Sequence, residues 1–153
     1  MKDELYRETR KRIDALLEDE TDWIAAMATV ACELHHSFDY FDWTGFYRPV
    51  EPQLLAVGPY QGGHGCLRIP FDRGVCGAAA RTLRTQLVED VNDITDHIAC
   101  SASTQSEIVV PVVSTDGILI GVLDVDSDRL AAFDQIDRHH LEDLCSWLAD
   151  RYG

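Results

Sequence analysis

The amino-acid sequence predicts an α+β fold with a mostly antiparallel central sheet and helices at both ends of the chain. Apolar residues recur at helical spacing near the two termini, whereas short runs of β-branched and aromatic residues fill the middle. The resulting order is helix, helix, hairpin, strand, helix, strand, hairpin, helix, which is typical of this class. A length of 153 residues fits one domain, with helices at about 3–38, sheet and catalytic loops at about 42–127, and a last helix at about 134–151.

Two helices are predicted in the first segment. The first is highly charged and has only a thin apolar stripe, Ile13, Leu16 and Leu17, so we expect it on the surface. Thr21 is the predicted N-cap of the second helix. The apolar residues of that helix are expected to face the core: Trp23, Ile24, Met27, Val30, Ala31 and Leu34. Cys32 lies beside this stripe, and we interpret it as a buried and inert thiol.

The middle of the chain contains short strands and one helix. The predicted strands are residues 43–47, 54–57, 67–71 and 86–88. The first two form a hairpin whose turn is residues 49–53, and a glycine-rich stretch follows at 58–65. The spacing of these glycines matches neither a P-loop nor a dinucleotide-binding fingerprint. Residues 74–83 predict a helix, which places Cys76 near a helix N-terminus, where the dipole favours a thiolate.

The clearest hairpin lies at residues 106–126, where two apolar strands flank an Asp-Gly pair at 116–117, a strong signal for a two-residue type I′ turn. If this pair forms the turn, Glu107 lies opposite Asp126. Because side chains alternate along a strand, Asp124 then shares their face. One interpretation is a solvated outer face. The other is a pocket that binds a cation or holds a protonated carboxyl group, because crowding raises a carboxyl pKa.

The last predicted helix contains the fifth cysteine of the chain. Its buried apolar residues are expected to be Ile136, Leu141, Leu144 and Leu148. Cys145 shares their face, so we interpret it, like Cys32, as a structural thiol.

Composition restricts the class of partner and the compartment. With 27 acidic and 13 basic residues the net charge is −14, which argues against nucleic acid or an anionic membrane surface. No apolar run approaches the roughly 20 residues of a membrane span, and the N-terminal residues lack the apolar core of a signal peptide. Five cysteines without a CxxC pair do not resemble a secreted disulfide framework. We therefore expect a cytoplasmic protein whose thiols stay reduced unless they take part in chemistry.

Cys66, Cys76 and Cys100 are the candidate reactive groups. Cys100 lies in a polar loop of small residues, just before an apolar strand that opens with a carboxylate, so its thiol can meet solvent and substrate. Four interpretations are open: buried thiols, a zinc site completed by His64 or His97, a Cys–His nucleophile for acyl transfer, and redox chemistry. Zinc ligands usually occur in pairs about two to four residues apart, and no local motif supports acyl transfer. Redox chemistry is therefore favoured.

Seven stretches of the sequence resemble the free methionine-(R)-sulfoxide reductase family, whose members are stand-alone GAF-fold enzymes. They are residues 43–47 (WTGFY), 58–62 (GPYQG), 66–71 (CLRIPF), 73–77 (RGVCG), 97–100 (HIAC), 106–111 (SEIVVP) and 121–126 (GVLDVD). The stretches occur in family order with family-like spacing and cover essentially the whole domain. Generic GAF domains do not share the three cysteines. The sequence departs from the family at Ser101, where an aspartate usually follows the HIAC cysteine.

The resemblance implies that the chain reduces free L-methionine (R)-sulfoxide to methionine. Cys100 would attack the sulfoxide sulfur as a thiolate and become a sulfenic acid. Cys66 would condense with this sulfenic acid to form a disulfide, which thioredoxin would reduce by exchange. Cys76 is the third cysteine of the family and would have a supporting role.

The same resemblance assigns the substrate-binding residues. Glu107, Asp124 and Asp126 would contact the ammonium group of the free amino acid, and one of them would protonate the departing oxygen, for which Glu107 is included among the catalytic residues. Trp43 and Tyr47 would form the wall around the S-methyl group, although both could equally be ordinary strand core. No cofactor and no metal are expected, and the family suggests a homodimer.

An alternative function is a GAF ligand-binding or redox-sensing module without turnover. Sensory GAF domains normally precede an output domain, whereas this sequence ends after its own last helix. Incubation with free methionine sulfoxide and thioredoxin would distinguish the two functions, because only an enzyme consumes reductant continuously.

Overall fold

The computed structural model describes all 153 residues and contains a six-stranded sheet with helices on both faces. The elements are α1 (Lys2–Leu16), α2 (Trp23–Ser37), β1 (Trp43–Glu51), β2 (Leu54–Gln61), β3 (Arg68–Pro70), α3 (Gly74–Thr82), β4 (Gln86–Val88), a 3₁₀ turn (Val91–Asp93), β5 (Ser106–Val113), β6 (Leu119–Ser127) and α4 (Gln135–Tyr152). The strand order is β3-β2-β1-β6-β5-β4, and every neighbouring pair is antiparallel. The predicted α+β fold is confirmed.

The two faces of the sheet carry separate apolar clusters. One cluster joins Phe46, Ile108 and other residues of the sheet to α1, α2 and α4. The other joins their immediate neighbours Tyr47 and Val109 to α3. Successive residues of a strand point to opposite faces, so the α3 face receives every second residue of β1, β5 and β6. None of the helices combines the length and the apolar character needed to span a membrane.

Three apolar residues of the predicted helical stripes, all at helix ends, are exposed. Leu16 and Ile24 are 58% and 59% exposed, and Ile136 is 37% exposed. All three lie in the first or last turn of their helices, where the apolar spacing continues but no neighbouring element covers the side chain. Ile13 on α1, Leu17 directly after that helix, and the rest of the predicted stripes on α2 and α4 are buried or partly buried.

The second helix differs from its prediction in two further respects. Its N-cap is Asp22 and not Thr21, because the Asp22 carboxylate accepts a hydrogen bond from the Ala25 N–H at 3.2 Å. Cys32 is exposed and not buried, because the buried stripe of α2 leaves it on the solvent side. Cys145 on α4 is buried as predicted.

The first hairpin is longer than the sequence indicates. β1 continues to Glu51 and β2 continues to Gln61, so the turn is shorter than residues 49–53 and part of the glycine-rich stretch is strand. β1 pairs with β6 only as far as Tyr47, and beyond that residue it pairs with β2 alone. Pro49, which has no N–H to donate, is tolerated in this half of β1 because one side of the strand needs no partner.

The β5–β6 hairpin has the predicted register but not the predicted turn. Ser114 N–H donates to Ile118 O, so the loop contains three residues rather than two, and Gly117 adopts a positive φ of 80°. A register shift follows between Val112 and Val113, where β6 contains one extra residue. The longer loop and this bulge shift the pairing by one residue in opposite directions, so that Glu107 pairs with Asp126 as predicted.

Candidate active site

Three carboxyl groups lie together on the α3 face of the sheet. Glu107 pairs with Asp126 across β5 and β6, and Asp124 lies two residues away opposite Val109. Glu107 and Asp124 are 6% and 4% exposed, so the interpretation as a solvated outer face is wrong. Burial, together with the neighbouring carboxyl groups, raises the pKa of all three groups well above the ordinary value. These carboxyl groups therefore hold their protons to higher pH than exposed carboxyl groups do.

Two oxygens of this cluster are buried and have no hydrogen-bond partner. They are Oδ1 of Asp124 and Oδ1 of Asp126. A buried polar atom without a partner is costly, so such atoms are rare and mark a place where a ligand can supply the missing donor. Cys76 Sγ and one oxygen each of Glu107 and Asp124 lie within 4.8 Å of one another, close enough to face one positively charged group. A primary ammonium group has the charge and the three donors that this arrangement can use.

Cys76 reaches the same cluster from α3. It is the third residue of that helix, which agrees with the predicted place near an N-terminus, but the expected thiolate is not favoured. Burial raises the pKa of the Cys76 thiol well above its ordinary value, and Asp124 and Glu107 raise it further. Desolvation and nearby carboxyl groups outweigh the helix dipole here, because both act directly on the sulfur.

Cys66 and Cys100 form a disulfide, with their Cα atoms 5.2 Å apart. The pairing is the one that the family resemblance implies. Cys66 lies between β2 and β3, and Cys100 lies in the loop before β5. A zinc site that uses all three thiols, one of the alternatives left open by the sequence, is incompatible with this disulfide, since two of the thiols are bonded to each other. Gly74 brings α3 against the Cys100 loop: it has a φ of 72°, and a Cβ on it would lie 3.2 Å from Ile98 Cδ1.

Cys100 lines both a small inner cavity and an outer cleft. The inner cavity has a volume of about 20 Å³ and is lined by Cys76, Cys100 and the three carboxyl residues, among others. The outer cleft has about 400 Å³ and shares Cys100 and Asp126 with it. An inner volume of this size holds about one water molecule and is too small for an amino acid. A cavity of about 330 Å³ between α1 and α4 contains none of the predicted site residues.

Trp43 and Tyr47 lie on β1 beside the cluster. Trp43 is 6% and Tyr47 1% exposed, and their rings stack with centroids 5.8 Å apart. Trp43 Nε1 donates to Gly63 O at 2.9 Å, and Trp43 borders the outer cleft. A Cβ on Gly65 would lie 2.8 Å from Trp43 Cζ2 and 3.0 Å from the Tyr47 hydroxyl, so this position needs a glycine. Burial, followed by Asp124, raises the pKa of Tyr47. Whether these rings contact a substrate stays a prediction.

His97 is a site residue to which the sequence assigned no role in redox chemistry. It lines the inner cavity, and its Nε2 lies 3.8 Å from Glu107 Oε1. His64, by contrast, is exposed at the outer cleft. The available signal was that His97 comes three residues before Cys100, within the HIAC stretch.

Comparison with known proteins gives consistent results. The sequence model of the GAF domain family matches residues 18–150. The free methionine-R-sulfoxide reductase of Escherichia coli is 40% identical over 147 residues, covering 96% of this chain and 88% of that protein. The enzyme of the same name from Saccharomyces cerevisiae is 37% identical over 149 residues, covering 94% and 83%. A solved structure of the Neisseria meningitidis free methionine-R-sulfoxide reductase in complex with its substrate superimposes with a TM-score of 0.93 at 46% identity, covering 99% of this chain and 90% of that chain.

Proposed function

The chain belongs to the free methionine-(R)-sulfoxide reductase family of GAF-domain proteins, and we propose that it reduces free L-methionine (R)-sulfoxide to methionine. The main support for this proposal is that two features line the same cavity. Asp124 and Asp126 present unpartnered buried oxygens that suit an ammonium group, and Cys100 of a redox pair lines the same space. Relatives of this name act on free methionine sulfoxide, and one was solved with its substrate bound.

The carboxyl groups select a free amino acid. An arriving ammonium favours ionisation of the carboxyl groups that face it, because an opposite charge lowers a carboxyl pKa. We assign Asp124 and Asp126 to this contact because their Oδ1 atoms have no other partner. Trp43 and Tyr47 would then enclose the S-methyl end of the substrate. These four positions match substrate residues of the family. Here Asp124 and Asp126 line the inner cavity, Trp43 borders the adjoining cleft, and Tyr47 stacks on Trp43.

Glu107 is the acid in this proposal. Burial raises its pKa well above the ordinary value, as suits a proton donor, and it is the second residue of β5, close after the loop that contains Cys100. The Cys100 thiolate attacks the sulfoxide sulfur while Glu107 gives a proton to the oxygen. The sulfur–oxygen bond of the substrate breaks, methionine leaves with its sulfur reduced, and Cys100 is oxidised to a sulfenic acid.

Regeneration requires a second thiol. The Cys66 thiol attacks the sulfenic acid of Cys100, water leaves, and the disulfide forms. The structure contains this disulfide, and its inner cavity is too small for a substrate. A reductant must therefore act before the next substrate binds. We propose thioredoxin as that reductant, a homodimer as the assembly and the cytoplasm as the compartment, all on the basis of the family resemblance and the unpaired cysteines.

Turnover on defined epimers tests the proposal. The reduced protein is supplied with free L-methionine (R)-sulfoxide or (S)-sulfoxide, thioredoxin, thioredoxin reductase and NADPH, and methionine is quantified by chromatography. We expect continuous methionine release from the R epimer only, and loss of release in Cys100→Ser but not in Cys145→Ser. A redox-sensing module would instead form the disulfide without releasing methionine, and that result would reject the enzymatic function.

A further inference from the structure

The proposed acid must recover a proton after every turnover. Glu107 gives its proton to the departing oxygen and is left as a carboxylate, yet its side chain is only 8% exposed. Its titratable neighbours Asp124 and Cys76 are buried in the same cluster, and Asp126, which borders the outer cleft, is occupied by the ammonium group in the proposed complex. A buried carboxylate of this kind exchanges protons slowly with solvent unless a group with some exposure connects the two. The cluster therefore needs a path for protons from outside.

His97 occupies that path. Its side chain is 16% exposed, so the imidazole meets both solvent and the inner cavity, and Nε2 lies 3.8 Å from Glu107 Oε1. A shift of about 1 Å brings this pair within hydrogen-bond distance. The contact with Glu107 is the only polar contact of the His97 ring within the chain, so no other hydrogen bond opposes this movement.

We propose that His97 relays protons from solvent to Glu107 and so resets the acid between turnovers. This inference rests on the proposed function, since it concerns the acid of that reaction. In each cycle the imidazole takes a proton from solvent and passes it to the Glu107 carboxylate. The thiol proton that Cys100 lost to solvent on forming its thiolate balances the proton taken up, so the reaction of thiol with sulfoxide remains neutral overall. His97 affects the reaction only through Glu107, which is the residue that gives the proton to the substrate.

The charges around His97 suit this role. Burial lowers the pKa of His97, and Asp96 in the same loop opposes that effect. Glu107 faces it from β5, and Asp124 and Asp126 of β6 line the same cavity. The imidazole is therefore mostly neutral near pH 7 and can accept a proton, while an ionised Glu107 nearby favours the protonated form for the short time that transfer needs.

The test separates the first turnover from the later ones. In one experiment, reduced His97→Gln protein receives an equimolar amount of (R)-sulfoxide, which allows a single turnover. In a parallel experiment, the protein receives excess (R)-sulfoxide and enough dithiothreitol that the reductant does not limit the steady-state rate. In the proposed cycle Glu107 starts as the protonated acid and needs His97 only after it has given up its proton, so we expect a normal first turnover. Steady-state kcat should fall by about 10-fold or more with KM unchanged. In His97→Ala, imidazole should restore kcat, and the rescue should weaken as pH rises through neutral, because imidazolium is the donor. His139→Gln, an exposed histidine on α4, is the matched control and should behave as wild type.

Three outcomes would overturn the inference. Unchanged steady-state kinetics in His97→Gln would show that Glu107 recovers its proton without His97. Equal slowing of the first and later turnovers, without rescue by imidazole, would show that His97 only shapes the loop. Absence of methionine release from the wild type would contradict the proposed function and the relay with it, which distinguishes that failure from the other two.

Discussion

Removal of the positive charge from the substrate amino group should nearly abolish activity. In the proposed complex the ammonium contacts the unpartnered Oδ1 atoms of Asp124 and Asp126. N-acetyl-L-methionine (R)-sulfoxide has a neutral amide at this position, which cannot supply the charge and has only one N–H. The buried oxygens would then remain without partners, and the acetyl group would also need space beside the cluster.

The size of the effect follows from the two contacts. A hydrogen bond to a charged group contributes about 1.5–3 kcal/mol, so two of them amount to about 3–6 kcal/mol. At about 1.4 kcal/mol per factor of ten, kcat/KM on the acetylated substrate should fall by roughly 10²–10⁴-fold. Sites with buried polar groups discriminate to a similar degree against substrates that leave those groups unpaired.

The assay compares three substrates on one enzyme preparation. Methionine release is measured from free L-methionine (R)-sulfoxide, from its N-acetyl derivative and from its carboxamide. The carboxamide retains the ammonium and controls for general intolerance of a blocked substrate. It should lose much less activity than the N-acetyl form. Comparable kcat/KM for the free and N-acetyl substrates would refute the assignment of Asp124 and Asp126 to the ammonium.

Further predictions concern the acid, the stability of the carboxyl cluster, the free cysteines and one glycine. Glu107→Gln should lower kcat/KM by about 10²-fold or more, the usual scale for loss of a general acid, and near-normal activity would exclude that role. The pKa of Asp124 is raised well above its ordinary value of 3.8, so ionisation of this buried group destabilises the folded state increasingly as pH rises from 3.8 through the raised pKa. Asp124→Asn removes this cost and should therefore raise the Tm of the ligand-free protein more at pH 8 than at pH 5. An equal shift at both pH values would contradict the raised pKa. Iodoacetamide should label the exposed Cys32 in the native protein but not the buried Cys145, as judged by peptide mass spectrometry, and Cys32→Ser should leave activity unchanged. Gly65→Ala should displace Trp43 and reduce kcat/KM, detectable with a parallel change in tryptophan fluorescence; unaltered kinetics would place Trp43 outside the substrate site.

The sequence predicts the fold and the shared face of the carboxyl groups because both depend on local periodicity. Alternation along β5 and β6 brings Glu107, Asp124 and Asp126 to one side, and pairing across the hairpin confirms it. The register was nevertheless obtained through two errors that cancel, a longer loop and a bulge at Ile120. Neither error could be avoided, because Asp-Gly suits several hairpin turns and a bulge depends on packing between distant residues.

Burial is what the sequence could not predict. The periodicity that placed Ile24 in the core and Cys32 beside it does not show where a neighbouring element ends. The pKa of Cys76 was misjudged for the same reason: the helix dipole is a local feature, whereas burial against Asp124 arises from the packing of α3 on β6. The distance between His97 and Glu107 likewise depends on the path of the loop that also contains Cys100.

The central claim is that Cys100 transfers oxygen from the substrate sulfur to itself and that Cys66 resolves the product. Counting the methionine released by fully reduced protein, with excess (R)-sulfoxide and no added reductant, tests it most directly. Without reductant, the wild type should release about one methionine per subunit and accumulate the Cys66–Cys100 disulfide, Cys66→Ser should also release about one, and Cys100→Ser should release none. Thioredoxin added afterwards should restart release in the wild type but not in Cys66→Ser. Methionine release that survives Cys100→Ser, or a dominant disulfide at Cys76 in the wild type, would contradict this account.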